Sequence, residues 1–200
     1  TLFSDGMPSS AVVTINGNGY TITGLNAPLI GSGFAGNSGV VINDLTLDKV
    51  KIDDAANTLG IGAFIGSIDS MPRIELNNCH LTDSTITSTG GARVGGLIGW
   101  SAGYNDPNNG PVKTYITIKN CSVENCSITA KGSVGAIIGH AGNNPATYHT
   151  IEACTVKDTT LNSTDDGGWR VGVVVGTANV GEVTISNITS ENNTLAQTGK

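Results

Sequence analysis

Val94 to Gly103 reads VGGLIGWSAG, a short apolar run with glycines on both sides. Close variants begin at Ile61 (IGAFIGSIDS), Val134 (VGAIIGHAGN) and Val171 (VGVVVGTANV). With the last glycine of each motif aligned, Gly31, Gly66, Gly99, Gly139 and Gly176 form one column. Its spacing runs from 33 residues (Gly66 to Gly99) to 40 (Gly99 to Gly139). Self-similarity at that period marks a solenoid, a propeller or an array.

The second half of each repeat narrows the choice. INDLTLDKVKI (Ile42 to Ile52), LNNCHLTDSTI (Leu76 to Ile86), IKNCSVENCSI (Ile118 to Ile128), IEACTVKDTTL (Ile151 to Leu161) and ISNITSENNTL (Ile185 to Leu195) superpose without a gap. Apolar residues recur at the first, fourth, sixth and last positions, with Asn, Asp and small polar residues between. That is short-strand alternation interrupted by turn residues, with no helical period. Three short strands per repeat are expected: the glycine-flanked run, the run into the Asn–Cys step, and the run after the second Asn or Asp. The chain is therefore expected to be all-β, a right-handed parallel β-helix of about five coils stacked about 4.8 Å apart. Variable spacing falls in loops, chiefly WSAGYNDPNNGPVKTY after Gly99.

Bulk composition agrees. Of 200 residues, 38% are hydrophobic but only 4% aromatic, and there are 28 glycines, which argues against a core of large side chains. Charge, at 13%, is too sparse for disorder given that apolar content. A net charge of −6 disfavours nucleic acid and anionic lipid as partners. No apolar run approaches the ~20 residues of a membrane helix. The opening TLFSDGMPSS has neither an initiator Met nor a signal-peptide pattern, which suits a piece of a longer protein.

The runs VTINGNGYTITGL, LIGSGFAGNSGVVINDLTLDKVKI and VGGLIGWSAG together resemble the GLUG-repeat family. The resemblance extends from about Val12 to Lys200 and is best at Gly96–Leu97–Ile98–Gly99 and Ala136–Ile137–Ile138–Gly139. It loosens at VGVVVG and at NAPLIG, where Pro28 replaces a strand residue. Such repeats occur in bacterial surface proteins, including adhesin-like proteins and the non-catalytic portions of immunoglobulin A-specific metallopeptidases. The resemblance implies one GLUG-type domain over residues 1–200, an extracellular or cell-surface location and no catalytic activity.

Candidate residues follow from the columns. Gly66, Gly99, Gly139 and Gly176 are expected to end a strand at a corner, where positive φ or close backbone approach calls for glycine. A phosphate loop would need a following helix, and none is expected. Cys79, Cys121 and Cys154 share a column with Leu45 and Ile188, so they are expected to stack in the core as small hydrophobes. Cys126 aligns with no other cysteine, and CSVENC lacks zinc-ligand spacing, so neither metal nor cofactor is expected. His80, His140 and His149 are expected at the surface. No His-Glu-x-x-His or Gly-x-Ser-x-Gly occurs.

Three binding surfaces are weighed. The insertion WSAGYNDPNNG gathers Trp100, Tyr104, Asn105, Asp106 and Asn109, an aromatic platform with amide and carboxylate groups of the kind that takes a glycan. Turn chemistry alone also explains that composition. The file of Thr85, Thr87, Ser127, Thr129, Thr160 and Asn162 is broken by Lys51, Asp53 and Ala196, and is expected to be a solvated strand face. A polysaccharide-lyase-like enzyme is the alternative, disfavoured because Asp53 and Asp54 align with Thr87 and Ser88 and not with further acids.

The expected function is thus a surface scaffold or adhesin-like module for host glycan or protein. End-to-end or side-by-side self-association is a further possibility. Two structural expectations accompany it. Leu29, Phe64, Leu97, Ile137 and Val174 should form an outward apolar stripe that something must cover. The coil after Leu195 should be bare, while Leu2, Phe3 and Met7 fold over the first coil.

Overall fold

The computed structural model describes residues 11–31, 39–68, 71–106, 108, 110–165 and 170–199. All regular structure among them is strand. The chain is a parallel β-helix. One long sheet of nine strands, one of five and two of four are built from successive coils, with every inter-coil pairing parallel. Four coils contribute to all four sheets. Val12–Thr23 adds a layer at one end, and Glu182–Ser186, Thr189–Glu191 and Thr194–Gln197 add one at the other.

Five short segments make a coil, not three. In one coil they are Thr114–Lys119, Ser122–Glu124, Ser127–Ala130, Val134–Gly135 and Ile138–Ala141. Two turns divide the first three. Asp44, Asn78, Asn120, Ala153 and Asn187 form one file of left-handed residues, and Lys49, Asp83, Asn125, Asp158 and Asn192 the other, all with φ between 48° and 54°. Asn and Asp adopt that conformation at lower cost than other side chains, which is why they recur in the eleven-residue block. Each turn swings the next residue inward, placing Leu45, Cys79, Cys121 and Cys154 in one file and Val50, Ser84, Cys126 and Thr159 in another.

The core is a set of such files. Ile42, Leu76, Ile118 and Ile151 pair in register, as do Ile52, Ile86, Ile128 and Leu161. All are at most 3% exposed. At about 1.5–3 kcal/mol for each buried Leu or Ile, these files carry most of the stabilisation. Inner turn residues also bind between coils: the Val50 amide donates to Ser84 Oγ at 2.9 Å, and the Thr159 amide to Asn193 Oδ1 at 3.0 Å.

The glycine-flanked run departs from expectation. It is two short strands, such as Arg93–Gly95 and Ile98–Ser101, with the chain turning back at Gly96 and Leu97. The second strand of one coil presses backbone to backbone on the arm of the coil before it. A Cβ on Gly99 would lie 2.2 Å from the Ile61 amide nitrogen, and one on Gly139 would lie 2.6 Å from Gly99 O and Val94 C. Gly66, Gly99, Gly139 and Gly176 lie within strands and outside the left-handed region. The column is therefore glycine for close approach, and the expected strand-ending role is corrected. Gly31 follows the bridge from Ile30 to Ile65 at the edge of this sheet.

Folding back also removes the outward stripe. Leu29, Phe64, Leu97 and Ile137 are at most 3% exposed, because both sides of the bent run face interior, and Val174 is half-buried. At the last layer, Ile185 and Leu195 are 45% and 46% exposed, against 0% for Ile151 and Leu161 one coil in. Leu2, Phe3 and Met7 lie outside the described residues.

Candidate functional site

Trp100 is on a strand and not on the insertion. It occupies the file Ser67, Trp100, His140, Thr177 within the inner glycine sheet. The Arg93 guanidinium carbon lies 4.7 Å from its ring centroid, and the His140 ring meets it edge-on at 6.4 Å. The half-buried indole thus packs against Arg93 and His140. The insertion itself is an antiparallel hairpin, Tyr104–Asp106 against Gly110–Val112, with Tyr104 opposite Val112, Asn105 opposite Pro111 and Asp106 opposite Gly110. Asn109 lies outside the described residues. Trp100 thus sits on the strand that precedes the hairpin carrying Tyr104, Asn105 and Asp106.

Two histidines expected at the surface are interior. His149 stands in the core file Val40, Ile74, Ile116, His149, Val183 and is 1% exposed. Its Nε2 lies 2.7 Å from the hydroxyl of Ser101, which is fully buried. Burial pulls the His149 pKa down to about 4, with nearby His140 adding to the fall. His140 is 4% exposed, donates from Nε2 to Gly142 O at 3.2 Å, and is lowered first by burial and then by Arg93. Both imidazoles are interior, His149 at a position that the other coils fill with Val or Ile.

Cys79, Cys121 and Cys154 occupy one interior file, with the Cys79 amide 3.4 Å from Cys121 Sγ. All four thiols of the chain are unpaired and buried. Cys126, in the neighbouring file, has its pKa pushed up to about 12 by burial, so it persists as a thiol. Among the described residues no group of three or more His, Cys, Asp or Glu is placed to hold a metal ion.

The outward side of the long sheet carries the remaining chemistry. Arg73, Tyr115, Tyr148 and Glu182 share a file. The two tyrosine rings stack at 5.4 Å and 19°, with Tyr115 half exposed. Beside them run Glu75, Thr117, Thr150 and Thr184. Lys119 pairs with Glu152 at 3.0 Å in the next outward file, a solvent-exposed ion pair of small energetic weight. The tyrosine pair went unassigned in the sequence, although TYITI (Thr114 to Ile118) and TYHTI (Thr147 to Ile151) align in the repeat frame. It stands directly after the hairpin. Compared with models of known protein families, with curated proteins and with solved structures, the chain finds no match in any of the three.

Proposed function

We propose that the chain is a rigid display scaffold of the adhesin-like kind, working at a bacterial cell surface, and that its outward long sheet takes glycan. The supporting observation is the Tyr115–Tyr148 ledge flanked by the Thr117 and Thr150 hydroxyls. An apolar ledge next to hydroxyl donors suits a pyranose, whose faces are apolar and whose rim is hydroxylated. The stack supplies rigidity, since each side chain on the ledge is held by strands paired on both sides. The resemblance to surface-protein repeats points the same way. The lyase alternative gains nothing from the register, because Asp53 pairs with Thr87 and Arg93 pairs with Gly60.

A glycan array on the whole chain tests the proposal. Expected is retention of a restricted set of glycans, weakened at least tenfold in the double variant Tyr115→Ala, Tyr148→Ala with the melting temperature nearly unchanged. Retention of no glycan, or binding indifferent to the two tyrosines, overturns it. Binding of a host protein without sugar dependence would also reject the glycan part.

A further inference from the structure

Three consecutive coils bring Asp44, Asn78, His80 and Ser122 together on the outward side of the long sheet. His80 and Ser122 are register partners in the file Thr46, His80, Ser122, Thr155. His80 Nδ1 lies 2.9 Å from Ser122 Oγ, and His80 Nε2 lies 3.1 Å from Asn78 Oδ1. The Asn78 amide donates from Nδ2 to Asp44 Oδ1 at 2.8 Å.

This chain of contacts determines where the protons sit. An ionised Asp44 carboxylate only accepts, so the amide of Asn78 must turn its NH2 toward Asp44 and its oxygen toward His80. That oxygen accepts, so His80 must carry its proton on Nε2. In the neutral imidazole the remaining lone pair, on Nδ1, then faces the Ser122 hydroxyl. A hydroxyl within hydrogen-bond reach of a neutral imidazole, itself held by a third group, is the arrangement that activates a serine. The left-handed turn at Asn78 makes it possible, because it sets that side chain two residues before His80 and within reach of its far nitrogen.

We infer that Ser122 is an activated nucleophile that takes short acyl groups from carboxylic esters, with His80 as its base and Asn78 as the positioning residue. This goes beyond the scaffold reading and does not depend on it. The substrate class follows from the setting. Ser122 is only 5% exposed, which excludes all but a slim acyl group such as acetyl. His80 and Asn78 lie further out, on an open sheet, which leaves room for a bulky alcohol such as an O-acetylated sugar polymer. Asn120 occupies the same turn position one coil on, two residues before Ser122.

In the forward step the Ser122 Oγ–H proton passes to His80 Nδ1 as Oγ bonds to the carbonyl carbon. Collapse breaks the bond to the alkoxide, which leaves with that proton. Water then attacks acyl-Ser122, losing its proton to Nδ1. The carboxylic acid departs as the proton returns to Oγ.

The whole chain is treated with a small fluorophosphonate, which Ser Oγ attacks with loss of fluoride, and the labelled peptide is located by mass spectrometry. Hydrolysis of p-nitrophenyl acetate is followed alongside. Expected is one label per chain, on Ser122, with both signals lost in Ser122→Ala and reduced at least tenfold in His80→Ala. Ser127, flanked by Thr85 and Thr160, serves as the internal control and stays unlabelled. Nitrogen-15 shifts of His80 should show the Nε2–H tautomer alone, becoming mixed in Asn78→Ala. An unlabelled but folded chain, or a label and turnover unchanged in Ser122→Ala, overturns the inference. A single tautomer persisting in Asn78→Ala removes Asn78 from it.

Discussion

Glycine at position 99 illustrates how one residue type can answer two different demands. A sequence shows that glycine is wanted but not whether it is wanted for φ or for space, because a missing Cβ satisfies both. The two cases separate energetically. Gly99→Ala drives a methyl into the Ile61 backbone at 2.2 Å and should cost about 3 kcal/mol. Gly19→Ala, at φ +74° with nothing within 4 Å, should cost about 1 kcal/mol from the backbone alone. Denaturant midpoints at constant slope measure both, and equal costs would reject close approach as the reason for the column. His149 makes a second residue-scale case. Its folded pKa, near 4, lies below the ordinary imidazole value of about 6.5. The unfolded chain therefore takes up a proton first as pH falls. His149's contribution is complete above about pH 6.5, erodes below that, and is gone below about 4, a swing on the order of 3 kcal/mol. His149→Val should lose that part of the acid sensitivity while the carboxylate part remains. A pH series of unfolding midpoints for both chains reads the difference.

At the scale of the element, the eleven-residue block was legible and the glycine arm was only partly so. The block carries Asn or Asp at its turns and alternates between them, so its register could be read directly, down to the pairing of Leu76 with Ile118. The arm gave a different signal, since apolar residues occupied both phases of the alternation. A straight strand would show one of those phases to solvent, and a folded-back one shows neither. Local pattern does not distinguish them; the contact across the bend does. Trp100 was misplaced for a related reason, as WSAG begins inside a strand that the motif did not delimit. The turn files yield a prediction of their own. Ala153 holds φ 52° where Asp44, Asn78, Asn120 and Asn187 stand in the other coils. Ala153→Asn should therefore stabilise the chain by about 0.5–1 kcal/mol, read as a higher melting temperature. A neutral or negative change would show that the coil geometry, and not the residue, sets the cost of these turns.

Across the whole molecule, each coil touches only its neighbours, so stability is distributed as a series of interfaces. The last layer has a neighbour on one side alone, and Ile185 and Leu195 are half exposed there. Its amides at Glu182–Ser186 and Thr189–Glu191 should exchange with deuterium at least tenfold faster than those at Thr114–Lys119. Uniform protection along the stack would reject nearest-neighbour stability. The parallel pairing has a mechanical consequence as well. Backbone hydrogen bonds between coils point along the stack, whereas the chain within each coil runs across it. A tether drawing on an end coil along the axis strains few of those bonds at once, and the molecule gives way one rung at a time at low force. A tether pulling along a strand loads a row of bonds together and meets far greater resistance. How much load such a body can bear is therefore decided by the direction in which it is gripped.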